Sequence, residues 1–82
     1  MQEKRRRDQI ISEILILCRD DANKTRIVHQ VNLNFKTINK YLNLLIEKGF
    51  LEVIQGNRAI YKTTPTGEQA LKILLKAEAI YS

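Results

Sequence analysis

Residues 32–52, NLNFKTINKYLNLLIEKGFLE, decide how the chain is read. Leucines and isoleucines recur there at helical spacing, with lysines and asparagines between them and no acid before Glu47. Asn34 is placed to cap a helix from Phe35 to about Lys48, and Gly49 to end it in a left-handed conformation. With Ile38 at the centre of the inner face, Phe35, Tyr41, Leu42, Leu45 and Ile46 surround it. Lys36, Asn39, Lys40, Asn43 and Glu47 then fall on the outer face, with Thr37 and Leu44 at its margin. That outer face is either solvated or built to read a ligand, and the neighbouring segments decide between the two.

Before this stretch, Ile11, Ile14, Leu15 and Cys18 define a first helix from about Asp8 to Cys18 or Arg19. Ile10 and Leu17 widen its apolar stripe, so it is expected to be covered from more than one side. The preceding KRRR is expected to be a frayed, solvated tail that can touch phosphates. Asn23 is placed to cap a short helix beginning at Lys24, with Ile27, Val28 and Val31 facing inward and His29 outward. After Gly49 the period changes to two. FLEVI and AIYKT read as strands joined at Gly56-Asn57, with Val53 opposite Ile60, Ile54 opposite Ala59, and Gln55 and Arg58 at the tip. Thr64 then caps, and Pro65 opens, a last helix over residues 65–82. Its apolar residues cover more of the circumference than one small domain needs, which marks Leu71, Leu74, Ala77, Ile80 and Tyr81 as a candidate dimer seam.

The 82 residues form one domain, mainly α with a small β-hairpin, in the order α-α-α-β-β-α of a winged helix-turn-helix. The net charge is +5, and residues 22–46 contain no acid while holding Lys24, Arg26, Lys36 and Lys40. A basic, acid-free window of this kind suits a phosphate-facing surface. Lys36 and Lys40 are candidates for phosphates or guanine edges, Asn39 and Asn43 for adenine, and Thr37 for a phosphate or a thymine methyl. Lys24 and Arg26, at the start of the short helix, and Arg58, on the hairpin, are candidate backbone or minor-groove contacts.

The residues also resemble a family. Asn23–Ile27 (NKTRI), the Asn32–Asn34 turn (NLN), Tyr41–Gly49 (Y-L-x-x-L-x-x-x-G) and Tyr61–Gly67 (Y-x-x-T-x-x-G) together resemble the small archaeal winged-helix DNA-binding proteins and transcriptional regulators. The resemblance implies binding to double-stranded DNA and a homodimer through the last helix. Some relatives extend that helix into a long antiparallel coiled coil; with Ser82 as the last residue, a shorter helix-helix contact is expected here.

No catalytic or cofactor-binding constellation is present: one His and one Cys lie apart, and no glycine loop is shaped for phosphate. The expectation is a non-enzyme without metal or cofactor. Cys18 is expected to be a small core residue. No apolar run approaches the length that spans a bilayer, so a cytoplasmic, nucleoid-associated protein is expected. Two readings remain open beside sequence-reading regulation: a winged-helix protein-interaction module, and an architectural, chromatin-type DNA binder.

Overall fold

The computed structural model describes residues 5–81; Lys4 of the basic tail and the side chain of Tyr81 lie outside the described residues. Helix α1 (Arg7–Leu17) runs into a 3-10 turn at Cys18–Asp20 and a two-residue strand β1 (Ala22–Asn23). Helices α2 (Lys24–Val31) and α3 (Phe35–Glu47) follow, then strands β2 (Leu51–Ile54) and β3 (Ile60–Thr63), and helix α4 (Pro65–Tyr81). The mainly helical, winged arrangement agrees with the expected element order, with one strand added.

Local sequence explains each boundary. Asn23 and Asn34 cap α2 and α3, their side-chain oxygens accepting the Arg26 and Thr37 amides at 2.8 Å. Asn32 turns the chain between these helices in the left-handed region, at φ 62°. At the far end of α3, Gly49 takes φ +77°. Its amide donates to the Ile46 carbonyl at 3.0 Å and that of Phe50 to the Leu45 carbonyl at 2.9 Å. These paired bonds close the last turn and aim the chain into β2.

The sheet differs from expectation in two ways. Strand β1 pairs with β3 through Ala22–Tyr61 and Asn23–Ile60, which makes a three-stranded antiparallel sheet in the order β1-β3-β2. The hairpin register is also shifted by one residue: Val53 faces Tyr61 and Ile54 faces Ile60, so residues 55–59 form a longer connection than two residues. Burial explains the shift. This register puts Leu51, Val53, Tyr61 and Thr63 on the inner face together, whereas Val53 opposite Ile60 would have mixed inner with outer residues.

The core is built from Ile14 and Leu15 of α1, Ile27 and Val31 of α2, Ile38, Leu42 and Leu45 of α3, Leu51, Tyr61 and Leu71. Helix α1 is central, packed on α2, α4 and β3, as its wide apolar stripe predicted. Thr63 anchors the sheet to it by donating its buried hydroxyl to the Leu15 carbonyl at 2.7 Å. The basic N-terminal segment is less free than expected at Arg5, which donates to the Glu13 carboxylate and to the Val31 carbonyl, both at 2.6 Å. Phe35 is the other departure. Placed by periodicity on the inner face of α3, it is 50% exposed. As the first residue of its helix it has no preceding turn to cover, so its side chain reaches beyond the helix end.

Helix α4 is clamped to the end of α3. The Thr64 amide donates to the Phe50 carbonyl at 3.0 Å, and the Thr64 hydroxyl donates to the Gly49 carbonyl at 2.6 Å. The same hydroxyl accepts the Gly67 amide at 3.0 Å, capping α4. A Cβ on Gly67 would collide with the Phe50 carbonyl oxygen and stand 2.9 Å from Thr63 Cγ2. Gly67→Ala is therefore expected to lower the unfolding free energy by roughly 1–3 kcal/mol, read from urea melts, although alanine is the better helix former.

Cys18 lies wholly inside. Burial, seconded by the nearby Asp21 carboxylate and opposed by Arg26, pushes its thiol up to about 12. In the unfolded chain the thiol titrates near its ordinary value of about 8.5. The neutral thiol thus favours the fold below about pH 8.5, and this contribution declines as pH rises through about 12. At pH 8 the buried thiol stays protonated and shielded in the folded chain, so alkylation of Cys18 is expected to be much slower than in denaturant.

Candidate nucleic-acid interface

With Ile38, Leu42 and Leu45 buried, α3 turns its opposite side outward. Lys36, Lys40 and Asn43 are exposed there, and Asn39 is half-buried. This polar face has a concavity on either margin. The larger, of about 870 Å³, lies between α2, the start of α3 and the hairpin. Lys24, Thr25, Arg26, His29 and Gln30 line it from α2, Phe35 from α3, and Arg58 and Ala59 from the hairpin. The smaller, of about 290 Å³, is lined by Arg7 of α1 with Thr37, Lys40, Tyr41 and Leu44 of α3. Neither lining contains an acid.

The structure therefore brings Lys24, Arg26 and Arg58 together in one concavity, and Thr37 and Lys40 in the other. Lys36, Asn39 and Asn43 line neither, and by their helical spacing they occupy the ridge between. Arg7, His29, Gln30 and Phe35 line these concavities without being among the candidates read from the sequence. Arg7 was assigned to the loose tail, yet it is the first residue of α1. The outward position of His29 was legible from helical spacing, but its place opposite the hairpin is a tertiary contact.

The last helix needs one correction. Leu71 is 0% exposed, packed in the core of its own chain, and has no surface to offer a second copy. Leu74 and Ala77 are partly buried. The most outward of its large apolar residues are Ile73, 69% exposed, and Ile80, 81% exposed, with Leu75 less so. Ile73 also borders an apolar groove of about 270 Å³ with Ile11, Leu44, Phe50 and Leu74. Among the described residues, no three His, Cys, Asp or Glu side chains stand close enough to hold a metal ion.

Three helices, a recognition-type α3 braced by α2, and a hairpin beside it define the winged helix-turn-helix class. Residues 4–81 match the family model for the winged helix-turn-helix, and the chain belongs to that family. It is 34% identical over 70 residues to the uncharacterized protein MJ0290 of Methanocaldococcus jannaschii, covering 84% of this chain and 32% of that protein. It is 33% identical over 67 residues to MJ0287 of the same organism, covering 80% of this chain and 66% of that one. The chain thus spans about a third of the first relative and just under two thirds of the second. Among solved structures, Sso10a-2, a DNA-binding protein from Sulfolobus solfataricus, has a TM-score of 0.89 at 27% identity. That match covers 94% of this chain and 82% of Sso10a-2. BpsR of Bordetella bronchiseptica, whose DNA binding is regulated by 6-hydroxynicotinic acid, shares the fold, with a TM-score of 0.75 at 19% identity over 98% of this chain and 60% of BpsR. The archaeal winged-helix resemblance read from the sequence is borne out at the level of the family.

Proposed function

We propose that the protein reads double-stranded DNA by inserting α3 into the major groove, with the hairpin on adjacent backbone or minor groove, and acts as a transcriptional regulator. The observation that carries this reading is the gathering of cations from four elements around one polar helix face. Arg7 of α1, Lys24 and Arg26 of α2, Lys36 and Lys40 of α3, and Arg58 of the hairpin border it, with no acid in either concavity. A major groove about 12 Å wide admits an α-helix. In this reading Lys36 and Lys40 take phosphates or guanine edges, and Asn39 and Asn43 bridge adenine N6 and N7. Thr37 takes a phosphate or a thymine methyl, and Lys24, Arg26 and Arg58 hold the backbone on the concave margin. The DNA binding of Sso10a-2, similar over nearly the whole chain, supports the same partner.

The protein is proposed to act as a homodimer through α4. The seam is moved outward from the one expected: Ala70, Ile73, Ala77 and Ile80 follow the alternating three- and four-residue spacing of a helix-helix contact. Ile73 and Ile80 are its exposed members. A cytoplasmic, nucleoid-associated location accords with a DNA partner, and none of the described helices is long and apolar enough to cross a membrane.

Salt titration of duplex binding tests the first proposal, because each phosphate neutralised contributes a slope of about −0.9 to log K against log salt. Lys40→Ala is expected to weaken all sequences alike and reduce the slope by about 1, whereas Asn43→Ala costs roughly 1–3 kcal/mol only at particular sites. Weak binding at low salt that stays flat as salt rises would instead favour a protein-interaction module. Unchanged binding by both variants would refute the groove assignment. Light scattering tests the dimer: the wild type is expected at twice the monomer mass at micromolar concentration, and Ile73→Asp with Ile80→Asp at the monomer mass with its helical spectrum intact.

A further inference from the structure

Phenylalanine is among the side chains most often buried, yet Phe35 is 50% exposed at the N-terminus of α3. Its ring is not part of the buried core or of the apolar residues packed on it. The entry to α3 is secured by the Asn34 cap and by Leu33, which packs on the core from the position preceding the cap. The buried side of the helix is supplied by Ile38, Leu42 and Leu45. Phe35 instead sits on the wall of the larger concavity, with Lys24, Arg26, His29 and Arg58. On the helix surface its neighbour one turn on is Asn39, a member of the polar ridge.

An exposed ring set among cations limits what can cover it. A second copy docking here would bring its own basic residues against Lys24, Arg26 and Arg58, and like charges would oppose the contact. The fitting occupant is a polyanion that also presents an apolar group. Duplex DNA does so in the major groove, where the C5-methyl of thymine is the one apolar group on a base edge and phenylalanine is among the side chains that contact it. The N-terminal residues of a recognition helix are those that reach base edges, and Phe35 is the first residue of α3.

Resting on the DNA-reading function proposed above, we infer that Phe35 is a specificity-determining residue whose ring packs on a thymine methyl. The concavity around it then serves two purposes. Its cations hold the backbone while the ring discriminates thymine from bases that lack the methyl.

The test uses the tightest-binding duplex recovered from a random pool, synthesised once with thymine and once with uracil, which differ only in the C5-methyl. Affinities of the 82-residue chain are measured by fluorescence anisotropy at one salt concentration. The wild type is expected to bind the uracil duplex about four-fold more weakly for each methyl covered. Phe35→Ala is expected to bind both duplexes equally, about as the wild type binds uracil DNA, and Phe35→Leu to retain part of the preference. Lys36→Ala is expected to weaken both and preserve the ratio. The melting temperature of Phe35→Ala is expected to stay near that of the wild type, since the ring is outside the core. Equal binding of the two duplexes by the wild type overturns the inference while leaving the DNA function standing. A thymine preference that survives in Phe35→Ala overturns it too and moves the contact elsewhere, Thr37 being the next candidate. Failure to bind any duplex at low salt overturns the DNA function and this inference together.

Discussion

The carbonyl of Phe50 is the point on which the arrangement of this protein turns. It accepts the Thr64 amide, and Gly67 lies against it so closely that no side chain fits between. One residue before it, the Gly49 carbonyl accepts the Thr64 hydroxyl. The end of α3, the entry to β2 and the first turn of α4 are therefore held by one small cluster of backbone groups. A glycine at each side makes this possible, one for its positive φ and the other for its missing Cβ. The outward helix and the helix proposed to carry the dimer contact share this anchor, so their relative orientation is set by hydrogen-bond geometry as well as by apolar packing.

Around that anchor the molecule separates its surfaces by chemistry. Arg7, Lys24, Arg26, Lys36, Lys40 and Arg58 are spread along the chain, yet they border one face of α3. Several acids are engaged elsewhere. Glu13 pairs with Arg5, and Glu68 pairs with Arg19 at 2.7 Å, joining the 3-10 turn to α4. Such part-exposed pairs contribute little to stability, about 0–1 kcal/mol each. Each pair cancels one acid against one base, so neither adds to the net charge of +5 that the chain carries. The two most exposed large apolar residues, Ile73 and Ile80, lie on α4.

Much of this was legible in residue order because it is local. The caps at Asn23, Asn34 and Thr64 need only a side chain and an amide three residues on, and the glycine stop at Gly49 needs only its own φ. The apolar stripes of α1 and α3 need only a period. Features that depend on distant partners were not legible. Strand β1 is two residues long and exists only because β3 passes beside it. The hairpin register follows from which of its residues meet the core, so the tempting Gly56-Asn57 turn does not decide it. Leu71 looked like a seam residue because its helix has apolar residues on most sides. Only the packing of α1 shows which of them the chain keeps for itself.

The sequence by itself determined the order of the helices and the hairpin, the capping and the outward polar face of α3, since each follows from short-range chemistry, and its motifs carried the family resemblance. The tertiary structure alone decided what stands beside that face. It set Arg58 and His29 on one concavity and Arg7 and Lys40 on another, and left Phe35 half exposed at the helix start. Helical periodicity assigns a side chain to an angle around its own axis and carries no information about where the neighbouring elements end. For Phe35, at the end of a helix, that missing information separates a core residue from one that faces outward.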